Sequence, residues 1–254
     1  VTFLNTLASE WTKLRTTRSF WWTTALFLFF SLGWAVMQGN FTPEVQAGIP
    51  TLRAPAIVLA VYSFGFTVLI IQAVMVVTTE YRYNLQSVTY LASPQRWVVA
   101  LAKLVMYVVM AAVLTFLTVI VSYYLAKMLA PASAAELFHP FDDEQALRLM
   151  WVYPVAAVML MTFAQGIALL LRQTTGAVAL MLIWFMGVEA LVGIIPRVGD
   201  KILPYLPMEN LDAFINDEAV QNAPWGVGGS GLYFAAWAVV LWILGAIVLE
   251  RRDA

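Results

Sequence analysis

An all-α membrane protein with six transmembrane helices is the fold this sequence predicts, and three observations predict it. Hydrophobic residues make up 62% of the 254 residues and charged residues only 11%, against about 25% charged in an ordinary soluble domain. One core could not hide so much apolar surface, so lipid must cover part of it. The apolar residues are also gathered into long continuous runs, not the alternating segments of about ten residues that mark a membrane β-barrel. Finally, short polar segments between the runs hold most of the charges and prolines.

A helix needs about 20 apolar residues to cross the hydrocarbon core. Six segments qualify: 19–38, 55–79, 97–129, 150–171, 176–195 and 231–249. The third is longer than a crossing requires, so it should tilt or project from the bilayer. The first lies behind Lys13, Arg15 and Arg18 and runs on past the length of a signal-peptide core. It reads as a retained anchor. No internal repeat, low-complexity tract or second domain is evident, so 1–254 reads as one transmembrane domain.

Charge orients the bundle. With the first residues inside, Lys13, Arg15, Arg18, Arg82, Arg96, Lys103, Arg172, Arg251 and Arg252 fall on the inner side, nine of the fourteen basic residues. Arg53, Lys127, Arg148, Arg197 and Lys201 fall outside. The positive-inside rule therefore predicts a multi-pass protein of the cell (plasma) membrane with both termini cytoplasmic. Trp21, Trp22, Trp97, Trp151 and Trp225 lie near span ends, where an indole can bury its ring and keep its N–H wet.

The stretch 1–18 differs from the spans. Phe3, Leu7, Trp11 and Leu14 share one helical face, with Glu10, Lys13 and Arg15 away from it. That pattern predicts an interfacial amphipathic helix lying on the inner leaflet. On the other side, the longer connections carry Pro196, Pro204 and Pro207, which could bound a re-entrant or surface helical piece around 202–206.

The chain excludes most chemistries. Net charge of −1 provides no basic face for nucleic acid. With no cysteine, disulfides and thiol catalysis are ruled out, and a single histidine cannot build a His-rich metal site. His139 with Asp142, Asp143 and Glu144 reads as a solvated acidic loop. No G-x-S-x-G, H-E-x-x-H or G-x-x-x-x-G-K-[ST] pattern occurs; the glycine run at 226–231 lacks the phosphate-binding lysine and reads as a hinge before the sixth span. The sequence therefore predicts no catalytic residue, no resident cofactor or metal, and no ATP hydrolysis by this chain alone.

Three polar residues inside spans stand out. A carboxylate at Glu189 is costly in lipid unless paired, protonated or facing water. It is either part of a substrate path or a carboxyl that reaches the interface or hydrogen-bonds a neighbouring helix. Gln72 and Gln165 carry the same two readings, substrate path or interhelical hydrogen bonding.

The segment between the second and third spans is the most informative. EYRYNLQSVTYLASPQRWVVALAK, residues 80–103, mixes Glu80, Arg82, Arg96 and Lys103 with an apolar stripe of Leu85, Val88, Leu91 and Ala92. Proline disfavours helix in the residue before it, so Ser93-Pro94 ends the stripe. A short helix at the cytoplasmic face with one greasy side is suited to a groove on a soluble protein, although it could also rest on the inner leaflet.

Together, SEWTKLRTTRSFWW before the first span, this segment after the second and LERRDA after the sixth resemble the permease subunits of type-2 ATP-binding-cassette (ABC) exporters, most like actinobacterial members. In that family an acidic-aromatic-basic triplet, here Glu80, Tyr81 and Arg82, leads a coupling helix. A Ser/Thr-Pro-x-Arg turn, here Ser93, Pro94 and Arg96, and a lysine, here Lys103, lead into the next span. Asn84-Leu85-Gln86-Ser87 stands where the family commonly has a glycine-threonine segment. The resemblance implies a coupling loop at 80–96, in which Glu80, Tyr81, Arg82, Leu85, Val88, Leu91, Pro94 and Arg96 meet the ATPase. It also implies a cytoplasmic ABC ATPase in two copies that binds ATP and Mg, and a second permease, identical or homologous. The expected function is export of a hydrophobic or amphiphilic substrate such as a drug, an antimicrobial peptide or a lipid-like molecule. The alternative is a membrane scaffold or sensor subunit that docks a cytoplasmic partner without transport.

Overall fold

The computed structural model describes residues 3–45, 51–83, 89, 95–195 and 199–251. Helix accounts for 86% of the described residues, and no strand occurs among them. In chain order the helices are α1 (Phe3–Thr16), α2 (Arg18–Phe41), α3 (Ala54–Arg82), α4 (Arg96–Leu129), α5 (Ala132–Leu137), α6 (Glu144–Leu171), α7 (Thr174–Gly193), α8 (Pro207–Asn216) and α9 (Val227–Arg251). Six of them, α2, α3, α4, α6, α7 and α9, are long and apolar enough to cross a membrane. They correspond one for one to the six runs read from the sequence.

The boundaries moved where local chemistry decides them. α6 begins at Glu144, not 150, because Asp143 Oδ1 accepts the N–H groups of Gln145 (2.9 Å) and Ala146 (3.3 Å), satisfying helix donors that otherwise lack partners. The glycine run is not a hinge. α9 starts at Val227, so Gly228, Gly229 and Gly231 form its first turn. There a Cβ on Gly231 would fall 2.6 Å from the Phe214 ring, so the small residue lets α8 lie close against α9.

Contacts group the described residues into two compact units. One gathers residues 18–69 and 110–157. Its centre is Phe27, fully buried, with Phe66 set against Tyr153 at 6.0 Å. Trp34 Nε1 donates to the Ala56 carbonyl (2.8 Å), tying α2 to the first turn of α3. Lys127 Nζ donates to the Phe138 carbonyl (2.6 Å) and holds the α5 hairpin closed. Pro154 sits inside α6 and removes one backbone donor, a loss that transmembrane helices tolerate through neighbouring packing.

The other unit gathers residues 1–17, 70–109 and 158–254. Phe163 on α6 stacks on Phe234 of α9 at 5.5 Å and meets the Trp184 edge at 5.3 Å. Gly166 brings α6 and α9 together: a Cβ there would lie 2.8 Å from the backbone of Leu241 and Trp242. Close backbone approach through small residues is how helices associate where lipid supplies no hydrophobic drive. Thr174 Oγ1 pairs with Thr78 Oγ1 at 2.9 Å, a polar stitch from α7 to α3.

The helical piece expected around 202–206 is present as a short helical turn (Gly199–Ile202) and a 3-10 turn (Leu203–Tyr205), and it leads into α8, an amphipathic helix packed on α9. Its Asn210 is completely buried, donating to the carbonyls of Pro204 and Leu206 and accepting from Trp225 Nε1 at 2.9 Å. Trp225 is consequently a packing residue stacked on Tyr233, whereas Trp21, Trp22, Trp97 and Trp151 stay exposed. In α1, Thr6, Glu10 and Leu14 form the buried side, while Phe3, Leu4 and Trp11 face out. The charged Glu10 points inward because cations wait for it there.

Candidate functional site

Four charges converge where α1 meets the ends of α3 and α4. Glu10 and Lys13 lie three residues apart on α1 and so share a side. Glu80 stands in the last turn of α3 and Lys103 in the second turn of α4. Lys13 Nζ donates to Glu10 Oε1 (2.7 Å) and Glu80 Oε1 (2.8 Å). Lys103 Nζ donates to Glu10 Oε2 (2.5 Å) and Glu80 Oε1 (2.9 Å). Each ammonium touches both carboxylates and each carboxylate both ammoniums, so the ring is closed and neutral.

Burial makes that closure necessary. The side chains of Glu10 and Lys103 are only 3% and 7% exposed. An ion so enclosed is tolerated when opposite charge and hydrogen bonds replace its water. Lys13 is the accessible member, and it also reaches Thr89 Oγ1 at 3.4 Å. Burial pulls the Lys13 pKa down, but the attraction of Glu10 and then of Glu80 outweighs it and holds the ammonium above its ordinary value.

The quartet thus brackets the segment singled out in the sequence. Glu80 precedes it, Lys103 follows it, and both are fixed to α1. Tyr81 and Arg82 complete α3, with the Arg82 guanidinium 5.7 Å from the Tyr83 ring centre, and Arg96 opens α4. Leu85, Val88, Leu91 and Pro94 lie outside the described residues. Sequence reasoning singled out Glu80 and Lys103 but not Glu10 or Lys13 as their partners. A carboxylate on the polar side of an amphipathic helix reads as a surface residue, and nothing in helical periodicity links it to charges far along the chain.

The three polar residues within spans have separate surroundings. Gln72 Oε1 accepts from Tyr107 O–H at 3.1 Å, joining α3 to α4. Gln165 is completely buried, and neither its Oε1 nor its Nε2 has a hydrogen-bond partner among the described residues. Glu189 sits beside a break in α7: Trp184–Val188 form a π-turn, and Gly187 takes φ +105°, a conformation open mainly to glycine. Glu189 Oε1 accepts from Trp184 Nε1 across that break, and Oε2 accepts the Glu209 backbone N–H at 3.0 Å. Leu206, the N-cap of α8, has no side-chain acceptor to offer, so Glu189 caps that helix from another element.

Among the described residues, no three His, Asp or Glu side chains come together to hold a metal ion. Compared with known families and curated proteins, the chain matches no family model and no curated sequence. The described site is a closed, mostly buried ion ring bracing the two flanks of one connecting segment.

Proposed function

We propose that this chain is the membrane-spanning subunit of an ATP-driven exporter of the type-2 ABC kind, moving a hydrophobic or amphiphilic substrate with ATP hydrolysed by a separate cytoplasmic subunit. The observation that carries the reading is the bracket: Glu80 and Lys103, on either side of the connecting segment, are locked through Glu10 and Lys13 to α1. A segment clamped at both flanks behaves as a lever, and force applied to it passes into α3 and α4 together. A tether for a passive partner needs no such stiffness. Two ATPases, each carrying ATP and Mg, and a second permease would complete the transport unit.

Purification of the chain from its own host in mild detergent, with mass spectrometry of what accompanies it, tests this reading. The expected result is a near-stoichiometric soluble protein with a G-x-x-x-x-G-K-[ST] loop, lost when 85–91 are replaced by alanine. A chain that emerges with a soluble partner lacking that loop would favour the scaffold or sensor reading instead.

A further inference from the structure

Glu250 and Trp97 form a contact that the quartet does not explain. The Trp97 backbone N–H donates to Glu250 Oε1 at 2.8 Å. Trp97 is the second residue of α4, so this N–H is one of the helix donors with no partner in its own helix. A carboxylate there also faces the positive end of the α4 dipole.

The exchange runs both ways. Arg96 Nη1 donates to the Leu249 carbonyl at 3.4 Å, and Arg172 Nη2 donates to the carbonyls of Leu249 (3.4 Å) and Val248 (3.5 Å). These carbonyls lie in the last turns of α9, where the dipole is negative and cations are favoured. At such lengths the guanidinium contacts act more through charge and dipole than as short hydrogen bonds. Arg172 itself ends α6 in the left-handed region (φ +53°), and its guanidinium lies 5.1 Å from the Tyr81 ring centre.

We propose that the end of α9 is a second positioning element for the connecting segment: Glu250 and Arg96 hold its exit into α4, and Arg172 holds Tyr81 at its entry. This rests on reading that segment as the coupling element. It adds positioning residues on α9 and on the turn between α6 and α7, which the quartet does not reach. Two helix ends trade counter-charges, α4 receiving a carboxylate from α9 and α9 receiving a guanidinium from α4. Displacing the segment therefore strains both dipole contacts at once, and the movement is shared with the last span.

The chain has no cysteine, so Tyr83→Cys with Gln95→Cys gives two spin labels at the segment's described ends in the full-length protein in lipid nanodiscs. The expected result is one narrow distance distribution that widens severalfold in Glu250→Ala and in Arg172→Ala. Glu250→Gln, which keeps an acceptor and loses the charge, should fall between. A distribution unchanged in both alanine variants overturns the proposal, and either variant serves if the other fails to fold. In the complex with the co-purified ATPase, Glu250→Ala should lower kcat for ATP roughly fivefold, about 1 kcal/mol, with KM and subunit stoichiometry unchanged. Widening without that kcat effect would reduce the contact to a structural one and overturn the positioning role. The spin-label measurement needs no ATPase, so failure of the exporter reading and failure of this one are told apart.

Discussion

Glu10 and Lys103 are 93 residues apart in the chain and 2.5 Å apart in the fold, in a site almost closed to solvent. Removing one charge leaves the other buried and unbalanced, which costs roughly 3–5 kcal/mol. Glu10→Gln and Lys103→Gln should each lower the thermal midpoint in detergent by the equivalent of that loss. The double variant should lose clearly less than the sum, with a coupling energy of about 1–3 kcal/mol. Strictly additive losses would mean that the two side chains do not share a site.

What the sequence made legible, and what it hid, follow from the range of the interactions. The six spans are properties of continuous local composition, and all six were found. α8 is short and carries Glu209, Asn210 and Asp212, so it does not stand out as an apolar run; only the fold shows the buried Asn210 satisfied by Pro204, Leu206 and Trp225. The periodic signal was nevertheless present, with Met208, Leu211, Phe214 and Ile215 at helical spacing after Pro207. Glu10 was hidden for a different reason. The apolar residues Phe3, Leu4 and Trp11 form the exposed side of α1, while the cationic partner of Glu10, Lys103, comes from a distant part of the chain.

Glu189 braces two things at once, the break in α7 and the start of α8. Glutamine at this position keeps one acceptor oxygen and alanine keeps none. Glu189→Gln should therefore raise amide hydrogen exchange at Glu209 modestly, and Glu189→Ala should raise it to the level of a frayed helix start, a loss of about 1–2 kcal/mol for the cap. Equal protection of Glu209 in both variants and the parent would show that α8 is capped by something else.

Asp212 on α8 supplies a pH dependence. Burial pushes its carboxyl from 3.8 up to about 7. A carboxyl held above its unfolded value binds its proton more tightly in the folded protein, so ionisation works against the fold. That cost is absent below 3.8, grows as pH rises towards 7 and is complete above it. Asp212→Asn should consequently raise the thermal midpoint at about pH 8 and leave it unchanged near pH 4. A gain independent of pH would trace the effect to packing and not to charge.

Two glycines on different spans separate close packing from simple helix propensity. At Gly166 an added methyl would meet the backbone of Leu241 and Trp242 at 2.8 Å, atoms that cannot rotate aside. At Gly33, in the middle of α2, it would meet nothing within 4 Å. Intrinsic propensity favours alanine over glycine by about 0.5–1 kcal/mol inside a helix. Gly33→Ala should therefore be neutral or mildly stabilising. Gly166→Ala should lose stability, by roughly 1–3 kcal/mol, because α6 and α9 must separate to admit it. Thermal unfolding of the two variants side by side decides the matter. If both gain alike, the approach of α6 to α9 is looser than the geometry shows; a loss confined to Gly166 places that contact among those that hold the helices together in lipid.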